Sequence, residues 1–181
     1  MTDITLITGN AGKIAEISRL LGIEVHGQKV SLPELQATDV REVARAKAQA
    51  AYDQLQRPVL VDDTGLYINA WGELPGALIA WFLDNVGCDG VLKMLEGWDD
   101  RSARVVTALG YCDENGVQIF DGELTGSIAT ELRGENGFGY DPIFVPEGSS
   151  KTFAEHTSEQ KDAISMRALA AAKLKDFITQ A

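Results

Sequence analysis

The sequence predicts a mixed fold, α/β or α+β in class, on three observations. A short apolar run from Ile4 to Thr8 passes through Gly9-Asn10-Ala11-Gly12 into a helical repeat. Ala-rich stretches cover 40–56 and roughly the last 15 residues, a composition that favours helix. Between them lie β-branched runs punctuated by turn residues.

Each element follows from its local pattern. Ile4 to Thr8 reads as a buried strand, and Ile14, Ile17, Leu20 and Leu21 then recur at helical spacing until Gly22. A second strand fits about 23–30, and Leu32-Pro33-Glu34-Leu35 reads as a loop. The helix over 40–56 presents Val43, Ala46, Ala50 and Leu55 and is stopped by Pro58. Val59-Leu60-Val61 predicts a strand that ends abruptly at Asp62-Asp63-Thr64-Gly65, with Leu66 to Ile68 as its continuation. Pro75-Gly76 precedes a helix carrying Leu78, Ile79, Trp81, Phe82 and Leu83, and a second short helix covers Cys88 to Leu95. Ala103–Cys112 and Val117–Phe120 form a hairpin about Glu114-Asn115-Gly116, and a further strand falls near Leu124 to Ala129. The Gly-rich segment 133–142 is a loop, and Ala170, Leu174, Phe177 and Ile178 share one face of the last helix.

Composition narrows the function. With 27 acidic and 16 basic side chains the net charge is −11 and the pI is 4.6. That balance argues against a nucleic-acid strand or an anionic membrane as partner, since such binders carry a basic footprint. An apolar fraction of 45% and a mean hydropathy of −0.07 suit an ordinary packed core. The 181 residues read as one domain, 1–181, with room for two lobes. Cys88 and Cys112 are too few for a disulfide framework or a four-thiolate zinc site, so a reducing cytoplasm is expected. The N-terminus lacks a basic segment followed by a long apolar one, and no apolar run approaches the roughly 20 residues of a membrane span.

Four constellations carry possible chemistry. Thr8-Gly9-Asn10-Ala11-Gly12-Lys13 sits where a strand gives way to a helix, so glycines, free N–H groups and a lysine suit an anion. It is not a P-loop, which needs four residues between its glycines and Ser or Thr after the lysine; an ordinary glycine turn also fits. Glu34, Asp62 and Asp63 form an acidic set suited to a hard divalent cation such as Mg2+, or to a solvated turn. Asp63-Thr64-Gly65 has the aspartic-protease pattern, but the chain lacks a second triplet and is too helical for a retroviral-type dimer. Phe138-Gly139-Tyr140-Asp141-Pro142 offers a ring to stack on a planar base and a carboxylate to accept from its edge, or simply core residues. Lys161 and Ser165 share a helical face, while Arg167 lies about 240° round from Lys161 on a continuous helix. A break near Ser165, with its hydroxyl as N-cap, lets all three converge on an anion.

Taken in order, TGNAGK at 8–13, LPE at 32–34, VDDTGL at 61–66, LPG at 74–76, FGYDP at 138–142 and Lys161 with Ser165-Met166-Arg167 resemble the inosine triphosphate pyrophosphatase family, also called Ham1-like. The resemblance spans nearly the whole chain. It implies an elongated central mixed β-sheet flanked by helices, two lobes around a central cleft, and a homodimer. It also implies Mg2+-dependent hydrolysis of ITP, dITP and XTP to the monophosphate and pyrophosphate. By position, Thr8 to Lys13 would hold the triphosphate, with Lys47 near it. Glu34 and Asp63, with Asp62, would hold the metal, Asp63 would accept the proton of the attacking water, and Thr64 would contact substrate. Phe138, Gly139, Tyr140, Asp141, Lys161, Ser165 and Arg167 would form the pocket for base and phosphate. Met166 departs from the pattern, which has histidine there; Met cannot donate that hydrogen bond. Two alternatives remain at this point: a non-catalytic nucleotide sensor on the same fold, and a pyrophosphatase for other modified triphosphates.

Overall fold

The computed structural model describes residues 4–180. Met1–Asp3 and Ala181, the ends of the expected 1–181 domain and part of the N-terminal segment read for a leader, lie outside the described residues. In chain order the elements are β1 (Thr5–Ile7), α1 (Ala11–Leu21), β2 (His26–Gln28), α2 (Val40–Leu55), β3 (Val59–Ile68), β4 (Pro75–Gly76), α3 (Ile79–Met94), β5 (Ser102–Asp113), β6 (Gly116–Ile128), β7 (Phe144–Pro146), α4 (Ser158–Asp162) and α5 (Met166–Gln180). The strands form a mixed sheet ordered β2-β1-β3-β5-β6-β7, with β4 against the end of β3. β1 is parallel to β2 and β3, and the remaining pairs are antiparallel. The expected mixed sheet with flanking helices is what the chain adopts.

Three local expectations change. β3 does not stop at Asp62; it pairs with β5 without interruption from Val59↔Cys112 to Ile68↔Ala103. A continuous ladder of backbone hydrogen bonds overrides the weak strand preference of Asp-Asp-Thr-Gly. The two arms expected at 117–120 and 124–129 are one strand, β6, for the same reason. β7 is too short to show in a sequence pattern. The expected helix break before Cys88 is present, because Gly87 sits at φ 66° inside α3.

Strand period two divides the core. Leu60, Leu109 and Tyr111 pack with Ile17 and Leu21 of α1 and Ala170 and Leu174 of α5. Val59, Val61, Val106 and Ala108 face the other way, onto Val40, Ala44, Ala48 and Ala51 of α2. A third cluster joins Leu66, Ile68 and Val105 to Val91 of α3, to Leu95 just after it, and to Phe144 and Phe153. Two glycines let the helices come close enough to place side chains at the sheet centre. A Cβ on Gly110 would lie 2.9 Å from the Ala44 carbonyl oxygen of α2, and one on Gly122 only 2.0 Å from the Met166 carbonyl oxygen of α5. Among the described residues no helix is long and apolar enough to cross a membrane.

Candidate active site

Alternation along β3 decides how the two aspartates are used. Asp62 shares the face of Leu60, toward α1 and α5. Arg167 Nε donates to its Oδ2 at 2.7 Å and Nη2 to Oδ1 at 3.2 Å. Lys13 Nζ lies 2.9 Å from Oδ1 and donates to the Asp62 carbonyl at 2.6 Å. Asp63 points to the α2 face, where Lys47 Nζ donates to Oδ1 at 2.7 Å. The carboxylates expected to crowd one strand end are thus in mid-strand, on opposite faces, and each has its own cation.

Electrostatics follow this placement. Burial pushes the Asp62 carboxyl up, but the Arg167 guanidinium and Lys13 outweigh it and hold Asp62 well below the usual carboxylate range. Arg167 is likewise buried, and Asp62 and Glu16 raise it above its ordinary value. For Lys47 burial lowers the ammonium, while Asp63 and then Glu34 raise it further, to a net increase. Asp63 Oδ2 is buried and has no hydrogen-bond partner among the described residues.

The C-terminal residues converge through the break the sequence suggested. α4 ends at Asp162, and the Ser165 hydroxyl accepts from the Ala168 N–H at 3.1 Å, capping α5. Lys161 Nζ then donates to Asp141 Oδ2 at 2.7 Å. Arg167 Nη1 reaches Glu16 Oε2 at 3.0 Å, and Lys161 Nζ lies 3.8 Å from the same oxygen. Both cations lie over the Phe138 ring, Lys161 Nζ 4.9 Å and Arg167 Cζ 5.5 Å from its centroid. Asp141 also accepts from the Phe138 N–H at 2.8 Å, which fixes the ring's loop. Burial raises the Asp141 carboxyl, and Lys161 only partly offsets this.

The glycine turn is closed on itself. Asn10 Oδ1 accepts from the N–H groups of Gly12 and Lys13 at 2.9 and 3.2 Å, and Thr8 Oγ1 accepts from Asn10 N–H at 3.1 Å. With its oxygen so used, the Asn10 side chain turns its amide NH2 outward as a donor. Thr8 is half-buried, and Gly9, Asn10 and Ala11 are exposed at this mouth.

Two cavities meet at Lys13. One, of about 330 Å³, is lined by Phe138, Tyr140, Met166, Arg167, Asn10 and Lys13, with Thr64, Gly139, Asp141 and Lys161 also on its wall. Met166 is buried there, with its side chain also in the core. The other, of about 240 Å³, is lined by Thr8, Gly9, Lys13, Lys29, Glu34 and Lys47, among others. The first is aromatic with fixed cations; the second gathers three lysines with Glu34 and Asp62. Most residues expected in the site line one of these cavities; Ala11, Gly12, Asp63 and Ser165 line neither, Asp63 being bonded to Lys47 and Ser165 buried at the start of α5.

Comparison with known proteins gives this geometry a family. A family model described as the Ham1 family matches residues 4–177. The chain belongs to the Ham1 family. It is 42% identical over 178 residues to a protein of Methanopyrus kandleri named dITP/XTP pyrophosphatase, covering 96% of this chain and 95% of that one. It is 45% identical over 184 residues to the inosine triphosphate pyrophosphatase of Yarrowia lipolytica, covering 98% and 96%. A Ham1 protein structure from Coxiella burnetii superposes with TM-score 0.85 at 35% identity over 100% of each chain.

Two side chains of this Ham1 site escaped the sequence reading. Glu16 is buried on α1 and joins Arg167 to Lys161, with its Oε1 unpartnered among the described residues. Its only signal is position, one helical turn beyond Lys13 among apolar neighbours. Lys29 follows β2 and lines the second cavity with Gly9, and a lone lysine beside a short strand carries no signal.

Proposed function

We propose that this chain hydrolyses non-canonical purine nucleoside triphosphates, ITP, dITP and XTP, to the monophosphate and pyrophosphate. The observation that carries the reading is the pair of cavities meeting at Lys13, one built for a planar base and one for a polyanion, in a Ham1 chain whose relatives carry pyrophosphatase names.

In the first cavity Phe138 offers its face to the base, while Lys161 and Arg167 are donors suited to a 6-keto oxygen. Beyond their bonds to Asp141, Asp62, Glu16 and Thr64, each keeps an N–H to give, and a 6-amino group would leave it without an acceptor, which is the basis of discrimination against adenine. Met166 adds packing and no donor. In the second cavity Lys13, Lys29 and Lys47 neutralise phosphate charge.

The site suits a divalent cation on one observation of its own: Asp63 Oδ2 is a buried carboxylate oxygen with no partner among the described residues, and Glu34 presents a second, exposed carboxylate beside Lys47. Asp63 and Glu34 are the residues assigned to hold Mg2+. Both Asp62 oxygens are engaged by Arg167 and Lys13, so Asp62 is assigned to anchoring those cations and not to the metal. When bound, Mg2+ supplies positive charge to the phosphate oxygens. Lys47 holds Asp63 Oδ1 and fixes the carboxylate plane. Asp63 takes the proton as water attacks the α-phosphorus, and the bond from that phosphorus to the bridging oxygen breaks, releasing pyrophosphate with the electron pair. We place this chemistry in a cytoplasmic homodimer.

Incubation with Mg2+ and a panel of nucleoside triphosphates, following pyrophosphate, tests the reading. Release of pyrophosphate from ITP and XTP well above that from ATP and GTP is expected. Orthophosphate alone, or equal rates on all four, overturns it, and tight ITP binding without turnover returns the sensor alternative.

A further inference from the structure

Thr107 is fully buried in the middle of β5, on the face of Val105 and Leu109 that looks toward α5. It stands opposite Thr64 in the β3–β5 register, and the two hydroxyl oxygens are 3.3 Å apart. Among the described residues the Thr107 hydroxyl has no other hydrogen-bond partner. Thr64 has a second one: Arg167 Nη2 donates to its Oγ1 at 3.1 Å.

The direction of the Thr64–Thr107 bond follows from counting protons. A guanidinium only donates, so Arg167 occupies one Thr64 lone pair. If Thr64 gave its proton to Thr107, the Thr107 proton would be left without an acceptor in an apolar interior. If Thr107 gives its proton to Thr64, the Thr107 donor is satisfied and only lone pairs go unused, the cheaper defect. Both Thr64 lone pairs are then filled. Its own proton must point elsewhere, and Thr64 lines the 330 Å³ cavity.

We propose that Thr107 is a positioning residue that makes the Thr64 hydroxyl an obligate donor, aimed at an acceptor oxygen of the nucleotide in that cavity. Because Arg167 is locked by Asp62 and Glu16, the Thr64 proton has no freedom to turn inward, and the donor is set before substrate arrives. The ligand part of this inference rests on the nucleotide reading of the site; the direction of the bond does not.

Thr107→Val removes the proton and keeps the shape, and Thr107→Ser restores the proton. With ITP and Mg2+, the valine variant is expected to raise KM about fivefold, the effect of one net hydrogen bond, with kcat within about twofold, and the serine variant to return KM to the wild-type value. Unchanged KM in Thr107→Val, a loss confined to kcat, or a serine variant as impaired as the valine one overturns the proposal. NMR of side-chain hydroxyl protons in the ligand-free wild-type protein decides the direction without any variant or substrate. A slowly exchanging Thr107 hydroxyl proton coupled to Thr64 supports it, and a protected Thr64 proton directed at Thr107 overturns it. If the wild-type protein neither binds nor turns over ITP, the nucleotide reading fails and the NMR result alone judges Thr107.

Discussion

Asp62 and Asp63 are adjacent in sequence and serve opposite faces of one sheet: Asp62 binds Arg167 and Lys13 on the α1 and α5 side, and Asp63 binds Lys47 on the α2 side. The same substitution at the two positions therefore has different consequences.

Asp62→Asn deprives buried Arg167 of one of its two carboxylate partners, leaving Glu16. Removal of one partner of a buried ion pair costs about 3–5 kcal/mol, so a large fall in the urea midpoint is expected. Asp63→Asn keeps a hydrogen-bond acceptor for the less buried Lys47; its urea midpoint should stay close to wild type while pyrophosphate release from ITP is lost. An active Asp63→Asn protein would remove its assignment as proton acceptor.

The sequence showed the pair but not its division, because strand length decides which way each side chain points, and β3 is lengthened by pairing with β5, far along the chain. The break before α5 was legible, since Ser165 is a strong cap and the angle between Lys161 and Arg167 demands it. Glu16 was not, since a buried glutamate needs Arg167 to be tolerable, and that contact spans most of the chain. Strand order was equally out of reach, as it places β1 beside β3 and both helices 1 and 5 on one face only through tertiary packing.

The stability difference between wild type and Asp62→Asn depends on pH in a direction fixed by the lowered Asp62 value. A carboxyl held below its unfolded range contributes stability that is full above that range and is lost as pH falls toward the folded value. The urea midpoints of the two proteins should thus differ by a constant amount above about pH 4, the ordinary aspartate value, and converge only in stronger acid. Convergence already between pH 7 and 5 would contradict the assignment of Arg167 and Lys13 to Asp62.

Gly122 holds α5 against β6, and a Cβ there would meet the Met166 carbonyl oxygen, the Leu169 Cβ and the Ala170 nitrogen, none of which can swing aside. Gly122→Ala must push the first turn of α5 away and carry Arg167 with it. Overpacking of this kind costs about 1–3 kcal/mol. Here it should also raise KM for ITP, through displacement of Arg167 from Asp62 and Phe138, as steady-state kinetics would show.

Glu34 is exposed and makes no ion pair among the described residues, so its charge is free for the cation assigned to Asp63. Glu34→Gln removes one anionic donor without disturbing the fold, since a surface substitution away from a packed contact changes stability by about 0.5 kcal/mol or less. The expected result is an unchanged urea midpoint, a higher Mg2+ concentration for half-maximal pyrophosphate release, and a maximal rate largely recovered when Mg2+ is raised. Loss of activity at all Mg2+ concentrations would give Glu34 a role in the reaction itself, whereas no shift in Mg2+ dependence would remove it from the metal site and leave Asp63 Oδ2 as the sole assigned carboxylate donor.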